Sequence, residues 1–308
     1  MLRRLLVPSA VALLAAALGA AGWLLADAWW GAAAGVAAGL VVGSAGAWVV
    51  ARARGDRRAL RDGAQAARLT GLRFVAHLPP PTGGDLRRRR AEESHRMLRA
   101  ALGLPGPTAS GPERTVVVTS SAPGEGKTTT AAGLARALAR SGRPVVAVEA
   151  DLRRPALGRA LGLDPARSPA TGLATAIVDA VPVVDLLVEV EPGLRLLPAG
   201  DLPPSAPELL SGPDVVRVLS ELAALGVTIV VDTAPLLPVA DTRELLAGHA
   251  VGHVVLVVRS GAVRRAEARV AAALLPEGVD AVIALAGRGS TPRAYDRYLR
   301  DSSSAPRR

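Results

Sequence analysis

The sequence predicts an α/β fold, a parallel sheet flanked by helices, preceded by a two-helix hairpin that crosses a membrane. Short β-branched runs alternate with helix-like segments, the pattern of buried parallel strands joined by helical crossovers. A glycine-rich loop leads straight from one of these runs into a helix. Between Arg4 and Arg52, Asp27 is the only charged residue. A length of 308 residues holds one medium α/β domain and something smaller. The absence of cysteine excludes a disulfide scaffold and a thiolate metal site.

Residues 1–51 form the expected hairpin, with spans at 5–26 and 31–51. Each is about 20 residues long, enough to cross roughly 30 Å of hydrocarbon. Trp29 and Trp30 in the connecting DAWW suit the interface, and the flanking arginines (Arg3, Arg4, then Arg52, Arg54, Arg57, Arg58) place both ends in the cytoplasm. The chain is therefore expected at the plasma membrane with two spans. A cleaved signal peptide followed by one anchor is the alternative, but it would export the nucleotide site described below. Gly31, Gly35, Gly39 and Gly43 line one face of the second span, against the first span or a neighbouring subunit.

Residues 52–111 read as a basic cytoplasmic linker containing a helix. Between 52 and 100 there are 13 arginines against five acids, a net +8 of the chain's +10. Directly inside a membrane span, such charge is matched to anionic lipid headgroups rather than to nucleic acid. PPPTGG (79–84) marks a loop. In AEESHRMLRAALGL, Glu93, Arg96 and Arg99 fall at three-residue intervals on one helix face. That face reads as an intrahelical ion pair, with a subunit contact held open.

The domain expected over 112–291 begins with TVVVTS (115–120), a buried strand. SSAPGEGKTTT follows and runs into a helix ending at Gly142. Strand, glycine loop, Gly-Lys-Thr and helix in this order make a phosphate-binding loop, with Ser121 in place of the general pattern's first glycine. Lys127 is the only lysine among 37 basic residues. A compact ammonium on a flexible stem suits a phosphate, so Lys127 is expected on the β/γ-phosphates and the Thr128 hydroxyl on Mg²⁺. The candidate nucleotide contacts are Ser121, Pro123, Gly124, Glu125, Gly126, Lys127, Thr128 and Thr129, with Arg153 beyond the next strand.

That strand, in PVVAVEADLRRP (144–155), ends in Glu149 and Asp151, which alternation sends to one side. VTIVVDTAPLLPVAD (227–241) ends a strand at Asp232, with Asp241 nine residues on. Acids at the carboxyl ends of parallel strands beside such a loop are where a metal and a nucleophile are managed. Asp151 and Asp232 with Thr128 are the expected metal ligands, and Lys127, Glu149, Asp151 and Asp232 the catalytic set. HVVLVV (253–258) and VDAVIALA (279–286) complete the strands, and His249 and His253 read as ordinary loop and strand residues. The tail, 292–308, carries the only two tyrosines, Tyr295 and Tyr298, as packing residues or phosphate acceptors.

Together these motifs resemble the bacterial tyrosine kinases (BY-kinases) of polysaccharide assembly and export, over about residues 65–265. SSAPGEGKTTT looks like their Walker A loop, with Ala122 where the septum-positioning ATPases carry an extra lysine. VVAVEADLRRP and IVVDTAPLLPVAD are similar to their second Walker motif and Walker B, and PPSAPELL (203–210) to the segment before the latter. EESHRMLR fits their Glu-x-x-Arg-x-x-Arg helix, and TGLRFVAHLPP (70–80) their membrane-to-kinase junction. The resemblance implies a P-loop NTPase fold of the SIMIBI, MinD-like class and an ATP- and Mg²⁺-dependent autokinase regulating exopolysaccharide or capsule production. It implies deprotonation of tyrosine by the acid at 149 or 151, oligomerisation in a ring through Glu93, Arg96 and Arg99, and acceptors at Tyr295 and Tyr298. The implied partners are other copies of the chain, polysaccharide polymerase and export machinery, and a phosphatase. Glu149 stands where the family has Asp, and the adenine-contacting Asn is not seen in VIALAGRG. A non-kinase ATPase or nucleotide switch, and an inactive scaffold, are the alternative readings.

Overall fold

The structure is a computed structural model that describes residues 59–80, 82–104, 112–164, 169–248 and 251–287. The chain divides into two compact units, 1–58 and 59–308. The expected membrane hairpin, His249, and the tail with Tyr295 and Tyr298 lie outside the described residues. Among the described residues no helix is long and apolar enough to cross a membrane.

The second unit is built on one eight-stranded sheet. Its strands are β1 (Arg73–Leu78), β2 (Thr115–Ser120), β3 (Val145–Ala150), β4 (Val188–Glu191), β5 (Leu194–Leu197), β6 (Thr228–Thr233), β7 (His253–Arg259) and β8 (Asp280–Ala286). The order across the sheet is β1-β8-β7-β2-β6-β3-β5-β4. Its helices are α1 (Gly63–Thr70), α2 (Asp85–Leu102), α3 (Lys127–Ala139), α4 (Leu157–Ala160), α5 (Leu173–Val178), α6 (Pro213–Ala224), α7 (Asp241–Ala247) and α8 (Arg265–Ala273).

Every residue of β2, β3 and β6 is buried, as strands covered on both faces must be. Alternation divides their side chains between two cores. Val116, Val118, Val145, Ala147 and Val230 pack with α2, α3 and α4 through Leu98, Leu134 and Leu157. Val117, Val146, Val148, Ile229 and Val231 pack on the other face with α1, α5, α6, α7 and α8, through residues such as Leu173, Val218 and Leu245.

Two expectations change. The sheet is parallel except at one edge, where β4 runs antiparallel to β5. Only Pro192 and Gly193 separate these strands, Gly193 at φ 78°, and so short a connection joins antiparallel strands alone. Residues 59–104, read as linker with a separate helix, are part of the folded unit. β1 pairs in parallel with β8, and α2 lies along α3 with Leu98 and Leu102 buried. The boundary drawn at residue 111 therefore cuts through one core.

The α2–α3 contact is close. His95 is buried against Gly133, and its Nδ1 donates to the Ala91 carbonyl at 2.7 Å. Arg99 donates to the Ala137 carbonyl at 3.0 Å. A Cβ at Gly133 would fall 2.3–2.5 Å from three His95 ring atoms. G133A should therefore destabilise the protein by about 1–3 kcal/mol, the range for overpacking. The double variant H95A/G133A should unfold at a higher temperature than G133A; a lower midpoint would show that the two residues do not share this space.

Candidate nucleotide-binding site

The loop 121–126 leaves the carboxyl end of β2 near the middle of the sheet and delivers the chain to α3, which begins at Lys127. Gly124 and Gly126 have φ of 79° and 101°, open to glycine at little cost. Gly126 also passes so near β8 that a Cβ would lie 3.2 Å from that of Ala286. The first backbone N–H groups of α3 have no partner within the helix, which makes its N-terminus an anion site. Arg259, at the end of β7, donates to the Gly124 carbonyl at 3.0 Å. The Glu125 side chain is engaged by the loop itself: its Oε2 accepts from the Ser121 N–H, the Ser121 hydroxyl and the Ala122 N–H.

Lys127 is buried, with Nζ 2.6 Å from Asp151 Oδ2 and 3.7 Å from Asp232 Oδ1, and it donates to Thr128 Oγ1 at 3.3 Å. Asp151 Oδ1 accepts the Arg154 N–H at 3.2 Å, so both of its oxygens are held. The fold thus gathers Lys127, Thr128, Asp151 and Asp232 at the carboxyl ends of β2, β3 and β6. Asp232 is fully buried, and neither carboxylate oxygen makes a hydrogen bond of normal geometry, although the Thr128 hydroxyl lies close enough to help hold its charge. Burial raises its carboxyl from 3.8 to about 7, against the pull of the Lys127 charge. A buried carboxylate so sparsely satisfied is costly, and a hard cation is a partner that relieves it. Among the described residues no group of three or more His, Asp or Glu forms a complete cage. Mg²⁺ fits such a site, because it takes one or two carboxylates and completes its shell with phosphate and water.

Glu149 does not join this group. Its Oε1 accepts the Leu157 N–H at 2.6 Å and the Gly158 N–H at 3.3 Å, and its Oε2 accepts the Ala199 N–H at 3.1 Å. Glu149, expected in the catalytic set, is instead engaged by backbone: its carboxylate ties α4 and the segment after β5 to the end of β3. Arg153, expected on the nucleotide, makes a two-pronged bond to the buried Asp241 at 2.8 and 3.0 Å. Thr129 is exposed. Glu93 and Arg96 pair with each other on the outer face of α2. His253 sits at the opposite, amino-terminal end of β7 and pairs with Asp280 at 3.1 Å.

A cavity of about 500 Å³ adjoins the loop, lined by Gly124, Gly126, Thr129, Arg259, Ser260 and Gly287 among others. That is within the usual range for small-molecule clefts. Arg259 and Ser260 were missed in the sequence. Their signal was position, immediately after the parallel strand in HVVLVVRS, where open α/β sheets place ligands.

Comparison with known proteins fits this geometry. The family described as the CobQ/CobB/MinD/ParA nucleotide binding domain matches residues 116–282. The chain belongs to this family. Similar relatives are bacterial tyrosine kinases, in keeping with the motif resemblance. Tyrosine-protein kinase YwqD of Bacillus subtilis (strain 168) is 34% identical over 156 residues, 50% of this chain and 63% of the relative. Putative tyrosine-protein kinase EpsB of Ralstonia solanacearum is 35% identical over 168 residues, 54% of this chain but 21% of the relative. The BceF tyrosine kinase domain superposes with a TM-score of 0.62 and 25% identity, covering 75% of this chain and 99% of that domain. The chain thus spans less than two thirds of the length of these full-length relatives.

The two buried carboxylates should respond oppositely to neutralisation. Asp232 binds its proton more tightly folded than unfolded, so it costs stability as pH rises from about 4 to about 7. D232N should raise the unfolding midpoint of the nucleotide-free protein above pH 7, by about 2–4 °C for each kcal/mol recovered, and the gain should shrink toward pH 4. E149A strands three backbone N–H groups and should lower the midpoint at every pH. A D232N midpoint equal to wild type at pH 8 would remove the burial penalty assigned to Asp232.

Proposed function

We propose that the protein is a membrane-anchored, ATP- and Mg²⁺-dependent tyrosine autokinase that regulates exopolysaccharide or capsule biosynthesis and export. The observation that carries this reading is the convergence of Lys127, Thr128, Asp151 and Asp232 on one phosphate-binding loop. Relatives carrying the name tyrosine-protein kinase support the choice of acceptor. The hairpin would hold the kinase domain and both termini on the cytoplasmic side, with the basic stretch 52–100 against anionic lipid.

The loop backbone, the first turn of α3 and Lys127 would hold the phosphates, and Thr128 and Asp232 the cation. Mg²⁺ supplies charge neutralisation across the phosphates when bound. Lys127 neutralises Asp151. As Lys127 turns to the phosphates, Asp151 is released as the one strand-end carboxylate able to take the proton of an incoming tyrosine hydroxyl. The tyrosine oxygen bonds to the γ-phosphorus, and the bond from that phosphorus to the bridging oxygen of ADP breaks. With Glu149 bound to backbone, no second base is needed; positioning and charge neutralisation do most of the work in phosphoryl transfer. Tyr295 and Tyr298 are the proposed acceptors, presented to a neighbouring subunit.

Purified protein incubated with labelled ATP and Mg²⁺ should acquire phosphotyrosine. Y295F/Y298F should abolish the signal, and K127M should reduce it by about 100-fold or more, as expected for losing a principal charge contact in the transition state. Hydrolysis without phosphotyrosine would overturn the kinase reading in favour of a nucleotide switch.

Glu93, Arg96 and Arg99 are proposed to join neighbouring copies in a ring. Arg99 already donates to Ala137 in its own chain, which fixes the helix that would present the contact. R96A/R99A should yield smaller assemblies in light scattering and slower autophosphorylation. Unchanged size and rate would rule this contact out.

A further inference from the structure

We infer that Glu125 is a positioning residue that sets the shape of the phosphate-binding loop, with Ser121 as its partner in the place of the general pattern's first glycine. The inference rests on the nucleotide reading of this loop and adds to it a residue whose side chain need not touch the ligand.

Glu125 is buried, and one carboxylate oxygen collects three donors from the loop's entry: the Ser121 N–H at 2.8 Å, the Ser121 hydroxyl at 2.7 Å and the Ala122 N–H at 3.0 Å. These bonds close a ring across Ala122, Pro123 and Gly124. The exit of the loop, immediately before Gly126 and Lys127, is thereby tied to its start at the end of β2. The opposite rim is held by the Arg259 guanidinium on the Gly124 carbonyl at 3.0 Å. Gly124 and Gly126, both at positive φ, flank Glu125, Gly124 inside the closed ring and held by Arg259, Gly126 between the ring and the first turn of α3, where its carbonyl accepts the Thr130 N–H at 2.9 Å. Pinned on either side, they have little freedom to turn their N–H groups away from the phosphates before a ligand arrives, and such pre-organisation favours binding.

The same geometry accounts for the departure from the glycine pattern. A glycine at 121 would offer its N–H alone, whereas serine adds the shortest of the three bonds. The other oxygen, Oε1, makes no hydrogen bond of normal geometry, although the Arg259 backbone N–H lies close enough to help hold the charge. Burial raises the Glu125 carboxyl to about 7, against the stabilising bonds from Ser121 and Ala122. A group kept at that cost, with all of its hydrogen bonds of normal geometry made to the loop's entry, is explained by the loop's shape.

The test is titration of the purified full-length chain with a fluorescent ADP and Mg²⁺, alongside the steady-state KM and kcat for ATP. E125A should weaken binding about tenfold or more, the scale of losing charge-assisted hydrogen bonds, and the loss should appear mainly in KM. E125Q, which keeps an acceptor oxygen, should recover part of it. S121A should weaken binding in the wild-type background and add little in E125A. The unfolding midpoint of the nucleotide-free variants should not track the loss of affinity. Wild-type affinity in E125A, with binding abolished in K127M, would overturn this inference and leave the nucleotide reading standing. Affinity that falls in step with the unfolding midpoint would also overturn it, as would fully additive effects of S121A and E125Q should E125A fail to fold. Failure of the wild-type chain to bind nucleotide at all would overturn both.

Discussion

The site depends on a charge imbalance buried at the carboxyl ends of β2, β3 and β6. One ammonium, Lys127, lies between two carboxylates, 2.6 Å from Asp151 and 3.7 Å from Asp232. It satisfies the first and leaves the second with no hydrogen bond of normal geometry, only the nearby Thr128 hydroxyl. Burial removes Asp232 from bulk solvent, and its carboxyl rises to about 7 in consequence. A divalent cation would supply the missing charge and free Lys127 for a phosphate. Affinity for a metal–nucleotide pair therefore follows from what the fold leaves unsatisfied, as much as from the contacts it offers.

The rest of the architecture holds that imbalance in place. Parallel pairing of β2 and β3 with β6 brings three strand ends side by side. Glycines at positive φ turn the chain from β2 into α3 within six residues. On the outer side, α2 is joined to α3 by the His95–Gly133 contact and the Arg99–Ala137 hydrogen bond. A force applied to α2 by a neighbouring copy would reach a helix whose first residue is Lys127, with one packed interface between.

Much of this was legible in advance. β2, β3, β6, β7 and β8 read clearly because strands covered on both faces are runs of β-branched and aliphatic residues, here with polar residues only toward their ends. β1, β4 and β5 lie at or near the sheet edges, where RFVAHL and VEVE mix polar and apolar residues and the periodic signal fades. The Pro192-Gly193 turn was a readable sign of the antiparallel edge. The pairing of β1 with β8 was not, since it joins residues more than 200 positions apart.

By itself the sequence determined the elements whose geometry is local: the glycine loop, the lysine and threonine at the start of α3, and acids at strand ends. Their spacing along the backbone fixes where they stand. Only tertiary structure decided which of those acids remains available. Glu149 and Asp151 are two residues apart and look equivalent on alternation alone. The N–H groups of Leu157, Gly158 and Ala199 claim the first, while Lys127 claims the second. Likewise Arg153 finds Asp241, 88 residues away. A buried charge goes to whichever donors the folded chain brings near it, and most of those donors are remote in sequence.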